Sequence, residues 1–398
     1  MKDLWLVAIG AGRWQKRGIA AAKEAGLKVL AVDEDSTAPG CAIADRSLKV
    51  DIRNEAKVIE ALENTGIQPS GAIAFCNEAG MLTVAAIREK FNLPGIRTRV
   101  ATSLTNKGLQ RASWQKAGLP CPLWFVVRGK NEVPEVLSRI GAKAIFKPVD
   151  SAGSRGISVV NQNEPWEEAF KKAFQASRSG QIIIEAFITG IEHTIETFTH
   201  RGETWVLAIT SKKKVAGTSD TVAGELASAV LGDEIRQNAE RTVINSLAAL
   251  DFTDGPGHTE FILTVDNRIF LVEAAGRGGG FMVADGIVPA VSGFALSRAC
   301  ALQAVGVEPE LPKLSSSKFA VLRFIPSRLG TVRNLQGFGP ENELPSVLCE
   351  PMVQVGQVMS AASSDVDRMA FILSYADSLE AAYALADYRQ SQLTINID

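Results

Sequence analysis

Residues 4–10, Leu-Trp-Leu-Val-Ala-Ile-Gly, are apolar without interruption and end on a glycine turn, and no other stretch narrows the fold as much. A strand with no polar alternation is buried on both faces, which calls for a parallel sheet covered by helices. A helical stretch at 18–25 follows. KVLAVDED (28–35) reads as the next strand, and GAIAFCNEAG (71–80) as a third with its turn. This strand–helix–strand repetition predicts an α/β fold with a doubly wound parallel sheet. Such sheets bind ligands at the carboxyl ends of their strands, which makes Glu78, after the third strand, and Arg13, after the first, candidate substrate residues.

The first turn, Gly10-Ala11-Gly12 with Asp33 at the end of the next strand, partly matches a dinucleotide fingerprint. In that motif glycines let the backbone approach a pyrophosphate at a helix N-terminus. The third glycine is missing, because position 15 is Gln. A nicotinamide-dependent oxidoreductase is therefore a rival reading, and the turn is read as one facing an anion or a substrate.

A chain of 398 residues has room for two or three domains. The pattern changes near Thr105: a helix at 107–117 stops at Gly118, and prolines at 120 and 122 punctuate the lead into a strand. From AIFKPVD (144–150) the strands read as antiparallel, through GISVV, IIIEAFI, EHTIETFT, TWVLAIT, HTEFILT and RIFLVEA. More short strands and a helix at 378–386 follow from about Leu311. The expected division is an α/β domain over 1–104, a central α+β domain over 105–305 with lobes at about 105–183 and 184–305, and a small α+β domain over 306–398. The formal net charge of −2 lacks the basic excess that nucleic-acid binding needs. The apolar run at 4–9 is too short to span a membrane. Five scattered cysteines without a CxxC pair suit a reducing cytosol and offer neither a disulfide framework nor a zinc site. These features predict a cytoplasmic enzyme of small molecules, with no nucleic-acid or membrane partner and a homodimer as the commonest assembly.

The chemistry concentrates between residues 100 and 280. Lys147 ends the strand of FKPVDSAGSRGISVV, and a small, glycine-rich loop over 151–156 follows it. Backbone N–H groups of such a loop can wrap phosphate oxygens while the lysine supplies positive charge, so Ser151, Gly153, Ser154 and Gly156 are candidate phosphate contacts. In GHTEFILTVDNRIFLVEAAGR the turn Asp266-Asn267 lies midway between Glu260 and Glu273. A two-residue hairpin centred there pairs 265 with 268 and 264 with 269, and so sets Glu260 opposite Glu273. Facing carboxylates destabilise a ladder, and one shifts toward protonation unless a cation lies between them. A hard divalent ion such as Mg²⁺, or Mn²⁺, resolves the conflict with help from phosphate oxygens. Arg277, followed by Gly278-Gly279-Gly280, can stabilise charge on a transferring phosphoryl group or tetrahedral intermediate. His193 and His258 flank this site and are candidates for substrate binding.

Taken in order, these residues resemble the ATP-grasp superfamily over nearly the whole chain, with EAAGRGGG and CNEAG closest to its L-amino-acid ligases and other carboxylate–amine ligases. The resemblance implies a pre-ATP-grasp domain, a two-lobed ATP-grasp domain, and ATP and Mg²⁺ as cofactors. TNK (105–107) with AGLPCP (117–122) then makes Lys107 the first nucleotide lysine, and Lys147 the second. IIIEAFITGIE (182–192) resembles the hinge, with Glu185, Ala186 and the backbone through Ile188 at the adenine and Glu192 at the ribose. Glu260 and Glu273 match the metal acids and Arg277 the catalytic arginine. The family commonly has Asn two residues after the second metal glutamate, whereas Ala275 stands here. The implied reaction joins a small carboxylate to an amine through an acyl-phosphate. An ATP-grasp carboxylase or formyl-transfer enzyme is the alternative, and a non-catalytic nucleotide-binding module is a rival of another class.

Overall fold

The computed structural model describes residues 3–216, 222–313, 318–339 and 344–398, and the strand counts that follow are of those residues. Strands β1 (Trp5–Ile9), β2 (Lys28–Asp33), β3 (Arg46–Lys49) and β4 (Gly71–Ile73) form a parallel sheet in the order β3-β2-β1-β4. Both faces of β1 are covered. Leu6 and Ala8 pack into one core with Ile19 and Ala22 of α1 (Lys16–Glu24). Val7 and Ile9 pack into another, with Val58 and Leu62 of α2 (Glu55–Asn64) and Val84 and Ile87 of α3 (Met81–Lys90). The unbroken apolar run is the cost-free solution for a strand that meets no water on either side. Asp33 spends its carboxylate inside the first turn, accepting from Ala11 N at 2.7 Å and Asp35 N at 3.0 Å.

After α4 (Thr98–Leu104) and α5 (Lys107–Lys116) comes a second, antiparallel sheet in the order β5-β8-β6-β7. It comprises β5 (Trp124–Val127), β6 (Lys143–Pro148), β7 (Ser158–Asn161) and β8 (Ile182–Ala186), with α6 (Val133–Ile140) and α7 (Glu167–Ala176). This lobe has its own core, built from Val127, Phe146, Phe170, Ile182, Ile184 and their neighbours.

Residues 187–190 lead into β9 (Ile191–His200), β10 (Glu203–Lys214), β11 (Ala223–Ser228), helix α8 (Asp233–Ala248), β12 (Gly255–Leu263) and β13 (Ile269–Ala275). Two buried helices, α9 (Val288–Ser292) and α10 (Leu296–Ala304), follow. The chain then returns through β14 (Phe319–Pro326), β15 (Gly330–Gln336), β16 (Val347–Pro351), β17 (Val358–Met359), β18 (Arg368–Ala376), α11 (Leu379–Ser391) and β19 (Thr394–Ile397). One eight-stranded sheet runs in the order β13-β12-β9-β10-β11-β14-β18-β16, and a small one in the order β17-β15-β19. The large sheet thus passes through the boundary set near residue 306, because β14 pairs directly with β11. Among the described residues no single helix is long and apolar enough to cross a membrane.

Candidate functional site

Glu260 and Glu273 are direct cross-strand partners, by a route different from a two-residue hairpin. The turn has three residues between Thr264 and Arg268, with Asn267 left-handed at φ 61°. Leu263 therefore pairs with Ile269, Ile262 with Phe270 and Phe261 with Leu271, one step off the expected register. A bulge at Val272 takes up the extra residue, and Glu260 meets Glu273 after all. Side chains alternate along a strand, so β9 puts Glu192, Thr194 and Glu196 on the face that carries Glu260 and His258 of β12.

Each glutamate has its own cation. Lys107 Nζ donates to Glu273 Oε1 at 2.9 Å and to Ser151 O at 2.8 Å, tying the glycine-rich loop to the hairpin. Lys212 Nζ bridges Glu260 Oε1, at 2.5 Å, and Glu192, whose other oxygen takes Lys214 Nζ at 2.6 Å. His258 lies between Glu196, on its Nδ1, and Glu260, 3.4 Å from its Nε2. Burial alone would lower the His258 pKa, but the Glu196 carboxylate outweighs it and holds the imidazole up at about 9, so the ring is cationic at neutral pH. Burial would raise Glu260, yet Lys212 and His258 hold it well below the carboxylate range. Glu273 goes the other way: burial, then the nearby charges of Glu78 and Glu260, raise it despite Lys107. Lys107 is raised too, since Glu273 and Glu78 outweigh its burial. The carboxylates gathered around one lysine contribute to both shifts. Among the described residues no group of three or more His, Cys, Asp or Glu could hold a metal ion by itself. Two facing carboxylates nevertheless fit a divalent ion that completes its shell with phosphate and water.

The first lobe contributes Lys147 from the end of β6, and the structure gives Glu185 a task other than facing a base. Its side chain is fully buried, accepting from Arg111 Nε at 2.5 Å and Lys147 Nζ at 2.7 Å. Burial would raise its pKa, but Arg111 and Lys147 bring it down to about 2. Glu185 therefore aims the lysine. Ala186 N is used by Leu123 O at 2.8 Å, while Ile188 N–H and C=O have no hydrogen bond among the described residues. In the loop over 151–156, Gly153, Ser154 and Gly156 are left-handed at φ 67°, 60° and 77°.

The N-terminal sheet supplies Glu78, whose Oε2 lies 3.1 Å from Arg277 Nη2. Capping of the short turn after β4 falls to Asn77, which accepts from Ala79 N, so Glu78 is free for this pairing. Gly279 N donates to Glu196 Oε2 at 2.9 Å, and a Cβ there would stand 2.8 Å from the other Glu196 oxygen, so only glycine fits. Two candidates lie elsewhere. His193 faces away from the glutamates, stacked on Phe261 at 5.1 Å, and burial pushes its pKa down, so it is a neutral core histidine. Arg13 pairs with Glu350 at 2.7 Å, half-exposed and joining the first turn to β16.

Sequence reasoning missed Arg111, Glu196, Lys212 and Lys214. Their signals were positional: Arg111 is one helical turn past Lys107, and Lys212 and Lys214 alternate on the strand beside Glu192.

Residues 140–285 match the ATP-grasp domain family. Curated relatives include formate-dependent phosphoribosylglycinamide formyltransferases of Rhodococcus jostii (27% identical over 187 residues) and Burkholderia pseudomallei (29% over 187). Each alignment covers 46% of this chain and 46% of the relative, so the chain spans about half the length of the curated relatives it matches. Among solved structures, an L-amino acid ligase from Bacillus licheniformis matches with a TM-score of 0.85 at 22% identity, covering 100% of both chains. Phosphoribosylglycinamide synthetase from Anaerococcus prevotii matches at 0.80 and 20%, again over 100% of both. The biotin carboxylase domain dimer of Hydrogenobacter thermophilus 2-oxoglutarate carboxylase, in complex with Mg-ADP, ADP and bicarbonate, matches at 0.79 and 16%, over 99% of this chain and 90% of that one. The chain shares the fold of these solved structures over its whole length, and its residues 140–285 match the ATP-grasp domain family.

Proposed function

We propose that the protein is an ATP-dependent ligase that joins a small carboxylate to an amine. One observation carries the reading: Lys107 links the phosphate-covering loop to Glu273, which faces Glu260 across the hairpin. Loop, lysines and paired carboxylates are the parts that phosphoryl transfer from ATP requires in one place. The open backbone of Ile188 would face the adenine edge, and Lys147, aimed by Glu185, would meet phosphate. Glu260 and Glu273 would hold Mg²⁺, which neutralises charge on the transferring phosphoryl group. Their placement directly opposite one another across the hairpin supports that assignment. Ala275 supplies no third protein ligand, leaving the rest of the shell to phosphate and water.

The substrate carboxylate takes the terminal phosphoryl group, releasing ADP, and the amine nitrogen then displaces phosphate to form the amide. Arg277, beside Glu78, gathers charge on the tetrahedral oxygen. His258 is cationic and so cannot take the amine's proton; its role is to hold a carboxylate. The formyltransferase relatives favour a second reading in which the acid is formate, and this differs only in the size of the acid. A homodimer is the assembly we infer, as in the biotin carboxylase domain dimer above.

The test is ADP release against a matrix of amino acids, formate and bicarbonate as acids, with amino acids and small amines as acceptors. The reading expects release only with Mg²⁺ and a matched pair. Arg277→Ala should keep ATP binding and lose roughly a hundredfold in turnover, the scale of one lost transition-state donor. Tight NAD binding without ATP binding would overturn the proposal.

A further inference from the structure

The glycine-rich loop of the first lobe is held from outside its lobe. Ser154 Oγ donates to Asp365 Oδ2 at 2.9 Å, across 211 residues of chain. The other oxygen of Asp365 accepts from Ala223 N, at the start of β11, at 2.8 Å and from Arg368 Nη2 at 3.0 Å. Arg368 is buried, donates also to Ala223 O at 3.0 Å, and lies against the rings of Phe281 (4.3 Å) and Phe324 (3.5 Å). Phe281 directly follows the glycines after Arg277.

We propose that Asp365 is a positioning residue for the reaction, the catch on which the phosphate-covering loop closes. The inference rests on the nucleotide reading of the cleft and adds to it an element from the C-terminal part of the chain. A serine with φ at 60° sits in a region that non-glycine residues seldom adopt, so an external partner must hold it there. A carboxylate is a strong acceptor for that hydroxyl, because charged acceptors make the shorter, stronger hydrogen bonds. The arrangement also reassigns Ser154. Its hydroxyl proton is committed to Asp365, which leaves phosphate to the backbone N–H groups of the loop. One carboxylate therefore joins the loop of the first lobe, the second-lobe sheet and the aromatic support of the Arg277 segment.

The test uses the full chain and trypsin, because exposed Arg155 lies inside the loop. The rate of the cut between Arg155 and Gly156 reports loop opening, without nucleotide and with Mg-ATP. Ser154→Ala and Asp365→Asn should each speed the nucleotide-free cut about tenfold, as expected for losing a hydrogen bond to a charged group. Their double variant should be no faster than either alone, since both remove one contact. KM for ATP should rise in step in all three. Ser154→Ala touches neither Arg368 nor Ala223, so it carries the test even if Asp365→Asn folds poorly. An unchanged cut in Ser154→Ala, or effects that add in the double variant, overturns the proposal. Wild-type protein whose cut is not slowed by Mg-ATP speaks against the nucleotide reading, while the nucleotide-free rates still judge the contact.

Discussion

Two glutamates of the site show how little a residue type says by itself. Glu185 is held down to about 2 by Arg111 and Lys147, whereas burial and neighbouring carboxylates raise Glu273. The linkage has opposite signs. Glu185 contributes stability that is present above its usual 4.5 and lost as pH falls through about 2. Glu273 binds its proton more tightly folded than unfolded, so keeping it charged works against folding once pH rises past 4.5. At pH 7, Glu185→Gln should destabilise by about 3–5 kcal/mol, because it strands two buried cations. Glu273→Gln should leave stability equal or higher while removing most Mg²⁺-dependent turnover. Urea titrations of both variants at pH 7 check this, and a Glu273→Gln protein that is markedly less stable yet fully active would sink the metal assignment. The sequence showed both glutamates and both lysines but not which carboxylate belonged to which cation. Partner choice depends on side chains 38 to 166 residues apart, and only the folded chain sets those distances.

Elements were legible where burial leaves a periodic trace. The long apolar strands and helix α5 lie close to where periodicity put them, and the helix at 378–386 extends to Ser391 behind a Ser378 cap. Strand β3 escaped notice because Arg46–Lys49 is a mostly exposed edge whose residues carry no apolar alternation. The hairpin taught more. Its outcome was right only because two departures, a longer turn and a bulge, cancel. The bulge also leaves Val272 O and Ala274 on the open edge of β13, where α5 meets them. Gln110 donates to Ala274 O at 2.8 Å and accepts from Ala274 N at 3.1 Å, as a neighbouring strand would, and Arg111 Nη2 donates to Val272 O at 2.7 Å. So 105–117, expected to open the first lobe, docks on the edge of the second-lobe sheet. Gln110→Met keeps the volume and abandons both backbone groups. It should cost about 1–3 kcal/mol, the penalty for buried groups left unsatisfied. Denaturant midpoints test that: an unchanged midpoint would mean that α5 is held by packing alone.

At the scale of the molecule, the cores divide the chain differently from the sequence. The N-terminal sheet and the eight-stranded sheet share two cores: Leu6 and Ala8 join Phe198, Leu322 and Phe371 in one, while Val7 and Ile9 join Ile195, Phe261 and Leu271 in the other. Strands β14, β16 and β18 extend the same large sheet, so much of the C-terminal region belongs to this body. The lobe from β5 to β8 keeps a core to itself. Cooperative units follow shared cores, so this lobe should open by itself before the body unfolds. Its ties to the body include polar ones: Lys107 Nζ to Ser151 O, Lys107 N to Val149 O, Arg111 to Glu185, and Ser154 to Asp365. A ligand gripped between lobe and body stabilises the closed form according to its affinity, by about 2.7 kcal/mol at a hundred times Kd. Native-state hydrogen exchange in rising denaturant should therefore find the amides of 124–186 exchanging through one shared opening of lower free energy than those of β9, β12 and β18. Saturating Mg-ATP should slow the first set far more than the second. Exchange of both sets through one global event, unchanged in order by nucleotide, would show that the lobe is no separate unit and that the cleft does not close on its ligand by moving it.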